Sequence, residues 1–483
     1  MPAAAAAAVS AAVMLGPGLW GLDRGTMWRD ESATFQIARR SLPEIWHLLG
    51  ELDAVHGLYY LLMHPVLAVR ADEVALRIPS VCAAACTAGL VAALGARLAR
   101  PRVGLWAGLL YAVTPFATHY AQEGRSYALV AAGAALATWC LVRAIERGTV
   151  GRWTAYGAAV AVSAVVHEFA LLMLAAHAVT VLCVRGDRRA RRSWATAAGA
   201  AVAVLLPLVV ISFRQGAQIS WIVKPGPEQL KHLLLQFTGP SGVVLTATLL
   251  LAAAVVLVPL PRRGPVGLVA VALPLAVLPP ALLFAVSLVK PLFVDRYLLF
   301  ALAGVPLLVA GGMERVLSVP RGGSRAVWRP VAAATGVAVI AAAFWWQLPF
   351  HRHERGTASR VDDLHAVAAQ VAADAREGDG VVFVPSYQRH ISLTYTGEFT
   401  GLRDLALKTS AAESGTLEGV EVAPEAFEQR LRSVRRVWVV GWPGSARQAW
   451  FLEDPKGEAI RHRFREARTV SLPSGVVQLY VRR

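Results

Sequence analysis

Eleven apolar stretches, most of them close to the length of a membrane-spanning helix, run from the start of this chain to about residue 348. Crossing a bilayer as a helix takes roughly 20 apolar residues, and in lipid only helices or closed barrels satisfy their own backbone. The stretches lie at about 3–22, 76–96, 103–120, 126–143, 153–166, 169–184, 194–212, 244–260, 266–288, 297–313 and 330–348. With 56% hydrophobic and 17% charged residues, the chain reads as a polytopic α-helical membrane protein. Its alanine-rich start, Pro2 to Leu22, lacks a basic region ahead of the apolar run and reads as an uncleaved first helix. Leu58 to Val69 is apolar too, but about twelve residues are too few to cross. It reads as a helix lying at the interface, anchored by Tyr59 and Tyr60.

The formal charge of +16 comes almost entirely from arginine. It needs no nucleic-acid partner, because arginines in loops set membrane orientation. They cluster at Arg97, Arg100 and Arg102; at Arg143, Arg147 and Arg152; from Arg185 to Arg192; at Arg262 and Arg263; and from Arg315 to Arg329. Placing these clusters in the cytoplasm puts the N-terminus there as well. The first outer loop, 23–75, then shares the opposite face with the turn 120–126, the hinge 167–168, the loop 213–243, the turn 289–296 and everything after 349. Stretches 153–166 and 169–184 are short, yet the basic loops flanking the pair require an even number of crossings between them. Cys82, Cys86, Cys140 and Cys183 all fall inside apolar stretches, which indicates neither a disulfide framework nor a zinc site.

After Phe350 the composition turns polar. Short β-rich runs at 381–384, 437–440 and 476–481 alternate with helical patterns at about 361–376, 424–433 and 445–453. That order suggests a soluble α/β domain. The expected division is therefore a membrane domain over 1–348 and a soluble extracytoplasmic domain over 349–483. The tail contains no phosphate loop, nucleophile elbow or metal motif, so the chemistry is expected upstream.

Candidate chemistry gathers on the outer face. Asp30 and Glu31 follow the first helix, and a carboxylate there can act as a general base; the plainer alternative is a solvated pair with Asp30 bound to Arg29. His56 and Tyr59 lead the interfacial segment, where tyrosines are also ordinary anchors, and His64 reads as a core histidine. Gln122 to Tyr127 places Arg125 at a helix start, suited to gripping phosphate, or simply paired with Glu123. Lys290 to Tyr297 brings Lys290 and Arg296 to the outer face against the positive-inside trend, with Asp295 between them. His167 and Glu168 form a hinge, but neighbouring helical residues diverge by about 100° and do not readily share one ligand. One or two carboxylates beside two or three cations suit a neutral hydroxyl attacking an anionic lipid-linked sugar, since a phosphate held by arginine leaves without a strong general acid.

These segments resemble the GT-C-type glycosyltransferases that use polyprenyl-phosphate sugars, a class that includes protein O-mannosyltransferases and aminoarabinose transferases. The likeness lies in Asp30-Glu31, His56-Gly57-Leu58-Tyr59-Tyr60, Gln122 to Tyr127, His167 and Lys290 to Tyr297, and covers about the first 300 residues. Gly57 stands where such proteins carry proline, Lys290 where they carry arginine, and Glu168 where an aromatic is common. The resemblance implies inverting transfer of a sugar, mannose foremost, to an acceptor hydroxyl on a protein, glycolipid or polysaccharide. Asp30 would be the base, with Glu31 beside it. Arg125, Lys290 and Arg296 would bind the donor phosphate, and His56, Tyr59, Tyr127 and His167 would shape the pocket. No cofactor is required, and nothing in the sequence forces a divalent metal. A flippase for lipid-linked sugars would instead show two-fold sequence symmetry and charges through the membrane midplane. A non-catalytic envelope scaffold would depend on the tail rather than on Asp30.

Overall fold

The computed structural model describes residues 1–184, 186–216, 221–318, 325–443 and 451–483. Arg185, Arg321 and most of the helix expected at 445–453 lie outside the described residues. Two compact units emerge, one of Met1–Leu22 with Arg77–Arg355, the other of Asp23–Leu76 with Gly356–Arg483.

In the first unit a helix occupies each of the eleven apolar stretches, although several are short or broken. Six described helices are long and apolar enough to cross a membrane: Glu73–Leu98, Tyr127–Arg147, Arg188–Arg214, Leu268–Ser287, Asp295–Leu317 and Pro330–His353. A seventh span results if Pro227–Thr238 and Gly242–Leu257, bent by 79°, are counted as one. The bend falls at Gly239, whose φ of 111° favours glycine, followed by Pro240, which cannot continue a helix. Ala3–Leu19, Val150–Val166 and Glu168–Leu182 are shorter apolar helices. The stretch at 103–120 divides into Pro101–Ala112 and Pro115–Tyr120, because the residue before Pro115 is steered out of helical geometry.

Small residues let these helices approach closely, as apolar surface alone gives them no reason to associate in lipid. A Cβ added at Gly104 would overlap the Ala92 carbonyl oxygen, and one at Gly312 the Leu251 carbonyl oxygen. Ion pairs add to the packing. Glu314 is fully buried, with Arg100 at 2.9 Å, Arg102 at 2.5 Å and the Ser318 hydroxyl donating at 2.7 Å. Arg97 donates to Glu146 at 2.8 Å. The arginines at 97–102, read from the sequence as orientation signals, therefore also fasten helices together. Removing one partner of a buried ion pair typically costs about 3 kcal/mol or more. Glu314→Ala is accordingly expected to lower the melting temperature of the purified protein clearly, and Arg97→Ala, which removes a more exposed pair, to lower it less. Equal melting temperatures for Glu314→Ala and wild type would sink the clamp.

In the second unit the first outer loop packs with the tail, whereas the sequence division at 348 left 23–75 with the membrane domain. The helix Arg29–Ala38 meets the short helix His390–Thr394 through polar contacts that hydrophobic periodicity cannot reveal. Ser32 and Thr394 hydroxyls lie 2.6 Å apart, and the Gln36 amide donates to the His390 carbonyl at 3.1 Å. The Met27 N–H donates to the Tyr395 hydroxyl at 2.9 Å, and Arg40 donates to the Thr416 carbonyl at 2.7 Å.

The tail carries strands β1 (Gly380–Val384), β2 (Arg403–Asp404), β3 (Leu407–Thr409), β4 (Val420–Glu421), β5 (Arg436–Gly441), β6 (Phe464–Leu472) and β7 (Gly475–Arg482). One mixed sheet has the order β2-β1-β5-β7-β6, with β1 parallel to β2 and β5, and β7 antiparallel to β5 and β6. β1 and β5 read as continuous apolar runs because they lie inside the sheet. Val382, Val437 and Val439 pack with Phe427, Leu431, Ile460 and Phe464. β6 is a charged edge strand, and that is why the sequence pattern passed over it.

A buried charge cluster braces this domain. Arg389 donates to Asp404 at 2.6 Å and to Glu421 at 2.7 Å, and Lys456 reaches Glu421 at 2.8 Å. Burial pushes the Glu421 carboxyl up, but the Lys456 and Arg389 cations outweigh it and hold the group below its ordinary 4.5. Burial pushes the His390 imidazole down to about 4 from its ordinary 6.5. Both shifts make the unfolded chain bind more protons in acid. The domain should lose stability from about pH 6.5 downward as unfolded His390 gains its proton. A further loss follows below pH 4.5, as the pH falls through the folded value of Glu421. Hydrogen exchange over 356–483, followed from pH 7 to pH 3.5, should show this loosening. A Glu421→Gln variant should flatten its lower arm, and no difference in that arm between the two proteins would count against the cluster.

Candidate active site

In the first unit, three of the sequence-selected residues converge. Arg296 opens the 3-10 turn Asp295–Ala303, and its Nε donates to the Tyr127 hydroxyl at 3.1 Å. Tyr127 begins the helix Tyr127–Arg147. The guanidinium lies 5.9 Å from the centre of the Tyr127 ring, 5.7 Å from Tyr297 and 5.7 Å from Trp221. The His167 ring sits 4.9 Å from Tyr297 and 5.8 Å from Tyr127, while Phe169 stacks on Tyr297 at 5.1 Å. Aromatic faces attract a cation and hold the planar guanidinium fork in place, a shape that matches phosphate. Asp295 accepts from the Arg296 N–H at 2.7 Å and lies 3.6 Å from His232. Trp221 and His232 come from the segment expected as the outer loop 213–243, but the structure places His232 on the helix Pro227–Thr238. A lone aromatic and a lone histidine in that segment offered no pattern to find them by.

Other selected positions have different neighbours. Lys290 is exposed and lies over the Phe213 ring at 4.4 Å, in the field of Glu168. His167 and Glu168 thus face different surroundings, His167 being an extended residue at the break between Val150–Val166 and the 3-10 turn that starts at Glu168. Arg125 is buried, and its carbonyl accepts from Ser80 at 3.2 Å. Gln122 has a structural part: its amide donates to the carbonyls of Pro17, Gly18 and Trp20, which the end of the first helix leaves unsatisfied. Glu123 lies 3.8 Å from His119.

In the second unit, Asp30 and Glu31 occupy the first turn of Arg29–Ala38, where the helix dipole favours carboxylates. Asp30 is half-buried and Glu31 fully buried. Arg29 turns to Asp362, donating its backbone N–H at 3.2 Å and placing its guanidinium 3.5 Å away, so the simple Arg29–Asp30 pairing is replaced. His56 and Tyr59 belong to the interfacial segment, with Tyr59 on the helix Gly57–Val69. His56 lies 3.9 Å from Asp53 and edge-on to Tyr60, whose hydroxyl also reaches Asp53. Asp53 has a φ of 60°, a left-handed geometry that aspartate tolerates better than most residues. His64 hydrogen-bonds the Ala38 carbonyl at 2.8 Å. Among the described residues no group of three or more His, Cys, Asp or Glu side chains is placed to hold a metal ion.

Comparison with solved structures identifies the architecture. The chain superposes on the apo crystal structure of ArnT from Cupriavidus metallidurans with a TM-score of 0.61 at 13% identity, covering 98% of this chain and 97% of that one. The chain has the GT-C fold. The same ArnT bound to undecaprenyl phosphate matches with a TM-score of 0.61 at 14% identity, again over 98% and 97% of the two chains. The archaeal oligosaccharyltransferase AglB from Archaeoglobus fulgidus, in complex with an inhibitory peptide and a dolichol-phosphate, matches at a TM-score of 0.50 and 8% identity, over 98% and 74%. Residues 58–213 match the family model described as dolichyl-phosphate-mannose-protein mannosyltransferase. No curated protein matches the chain in sequence.

Proposed function

We propose that this GT-C protein is a membrane glycosyltransferase that moves a sugar from a polyprenyl-phosphate donor to an acceptor hydroxyl on the extracytoplasmic face. The observation that carries the reading is Arg296, oriented by the Tyr127 hydroxyl within a nest of aromatic rings. Such a fork suits a lipid-linked phosphate, with Arg125 and Lys290 adding positive charge. Tyr127 and His167 would line the donor pocket, and His56 and Tyr59 the approach to the base.

Asp30 would accept the proton of the acceptor hydroxyl. The acceptor oxygen forms a bond to the anomeric carbon as that carbon's bond to the donor phosphate oxygen breaks, with inversion. The electron pair leaves on the polyprenyl phosphate, whose new charge the cations stabilise. Because the leaving group is already a phosphate, this chemistry uses no cofactor, and EDTA treatment is expected to leave turnover unchanged. Turnover lost in EDTA and restored by a divalent cation would reverse that expectation.

Mannose is the proposed donor sugar, supported by the family model over 58–213. The basic loops support an N-terminus in the cytoplasm and a site on the opposite face. The test is release or transfer of label from radiolabelled polyprenyl-phosphate mannose by purified protein in lipid, run beside donors carrying aminoarabinose and arabinose. Consumption of another sugar alone would keep the transferase and replace mannose. Consumption of none by folded protein would count against the transferase itself.

A further inference from the structure

A groove of about 490 Å³ runs between the helices Val150–Val166 and Arg188–Arg214, within the range of ligand-sized cavities. Its floor is apolar and low, formed by Gly157, Ala161, Ala197 and Ala201, and Trp153 and Arg189 stand at one end. The most apolar window of Arg188–Arg214 is only 17% buried, so this helix faces lipid rather than protein. A groove in such a surface is filled by a lipid chain, and the charge at its mouth decides which lipid.

That mouth is strongly cationic. Arg188, Arg189, Arg191 and Arg192 occupy the first turns of one helix, and Arg143, Arg147 and Arg152 lie in one another's field nearby in the chain. Asp187, beside Arg188, accepts a backbone hydrogen bond from Ala190 as a helix cap, and Glu146, between Arg143 and Arg147, is held by Arg97. Among the described residues neither Arg152 nor Arg189 forms an ion pair, in contrast to Arg97, Arg100 and Arg102, which are held by Glu146 and Glu314. The candidate site lies at the other end of these helices: Tyr127–Arg147 runs from Tyr127 to the groove end, about 30 Å at 1.5 Å per residue, and Val150–Val166 leads back to His167.

We propose that this groove binds one anionic phospholipid, with the phosphate on Arg189, an acyl chain along Gly157 to Ala161, and Trp153 at the headgroup level. The site is separate from the one that would take the donor, and its occupant stabilises the packing of the two helices.

The test uses the full-length protein in detergent, with phosphatidylglycerol, phosphatidylcholine or polyprenyl phosphate added. Lipid retention is read by native mass spectrometry, and the melting temperature is measured in parallel. Phosphatidylglycerol should be retained and raise the melting temperature more than phosphatidylcholine. Arg189→Glu should weaken its retention about tenfold, a change of about 1.4 kcal/mol. Ala200→Phe, at an exposed groove position, should reduce retention by occupying the chain's place. Equal retention of both phospholipids, or unchanged retention in Arg189→Glu, overturns the proposal. So does Arg189-dependent retention of polyprenyl phosphate alone, which would make the groove a donor site. Donor turnover by Arg189→Glu should match wild type, so a failed lipid result leaves the proposed activity standing.

Discussion

Arg296→Ala is expected to reduce turnover of a polyprenyl-phosphate sugar by about a hundredfold or more, the usual cost of losing one donor aimed at developing negative charge. The protein should still fold, since the rings around Arg296 pack on one another: Tyr127 on Tyr297 and His167, and Phe169 on Tyr297. Arg296→Lys should recover only part of the activity, because an ammonium keeps the charge but loses the planar fork. Tyr127→Phe removes the hydroxyl that accepts from Nε at 3.1 Å and should act in the same direction with a smaller effect. The measurement is steady-state turnover with donor titration, alongside melting temperature. Wild-type kinetics in a folded Arg296→Ala protein would take the phosphate clamp away from this residue.

Asp30→Asn should be comparably severe. A positioned general base contributes about a hundredfold to ten-thousandfold, and asparagine keeps the shape while removing the proton acceptor. Asparagine is nearly isosteric with aspartate, so the substitution leaves no cavity at the half-buried Asp30. Glu31→Gln provides the contrast: its side chain is fully buried, so its substitution should be read first in the melting temperature. Acceptor transfer and donor hydrolysis should both fall in Asp30→Asn, with donor affinity retained. If transfer by Asp30→Asn equals wild type, the base lies elsewhere. If Glu31→Gln alone loses turnover at an unchanged melting temperature, the base moves one residue along.

Particular residues show how far the sequence could be read. The apolar stretches were legible because a helix in lipid needs an uninterrupted run, and a helix stands at each of them. Three sheet strands, β1, β5 and β7, were legible from their β-branched runs. Edge strand β6 and the helix Pro455–Arg463 were not, because charges mask the pattern of elements at a surface. Arg296 stood out as a cation on the face that the basic loops lead one to expect poor in cations. Its setting did not, since Trp221 and His232 fall in the segment read as the outer loop 213–243, and a lone ring and a lone histidine there carry no site pattern.

Hydropathy alone marks the chain as a multi-helix membrane protein with a polar α/β tail. Hydropathy and charge are properties of short windows, and a bilayer acts on short windows directly. The folded structure packs the loop bearing Asp30 with the tail, through Ser32, Gln36 and Met27 meeting His390 to Tyr395. It alone decided that Arg296 rests on Tyr127 while Lys290 rests on Phe213, and that Gln122 caps the first helix. Each of these outcomes depends on single hydrogen bonds or ring contacts between segments far apart in the chain. Such contacts require one residue of the right shape at one place, and they leave no repeat along the sequence to announce them.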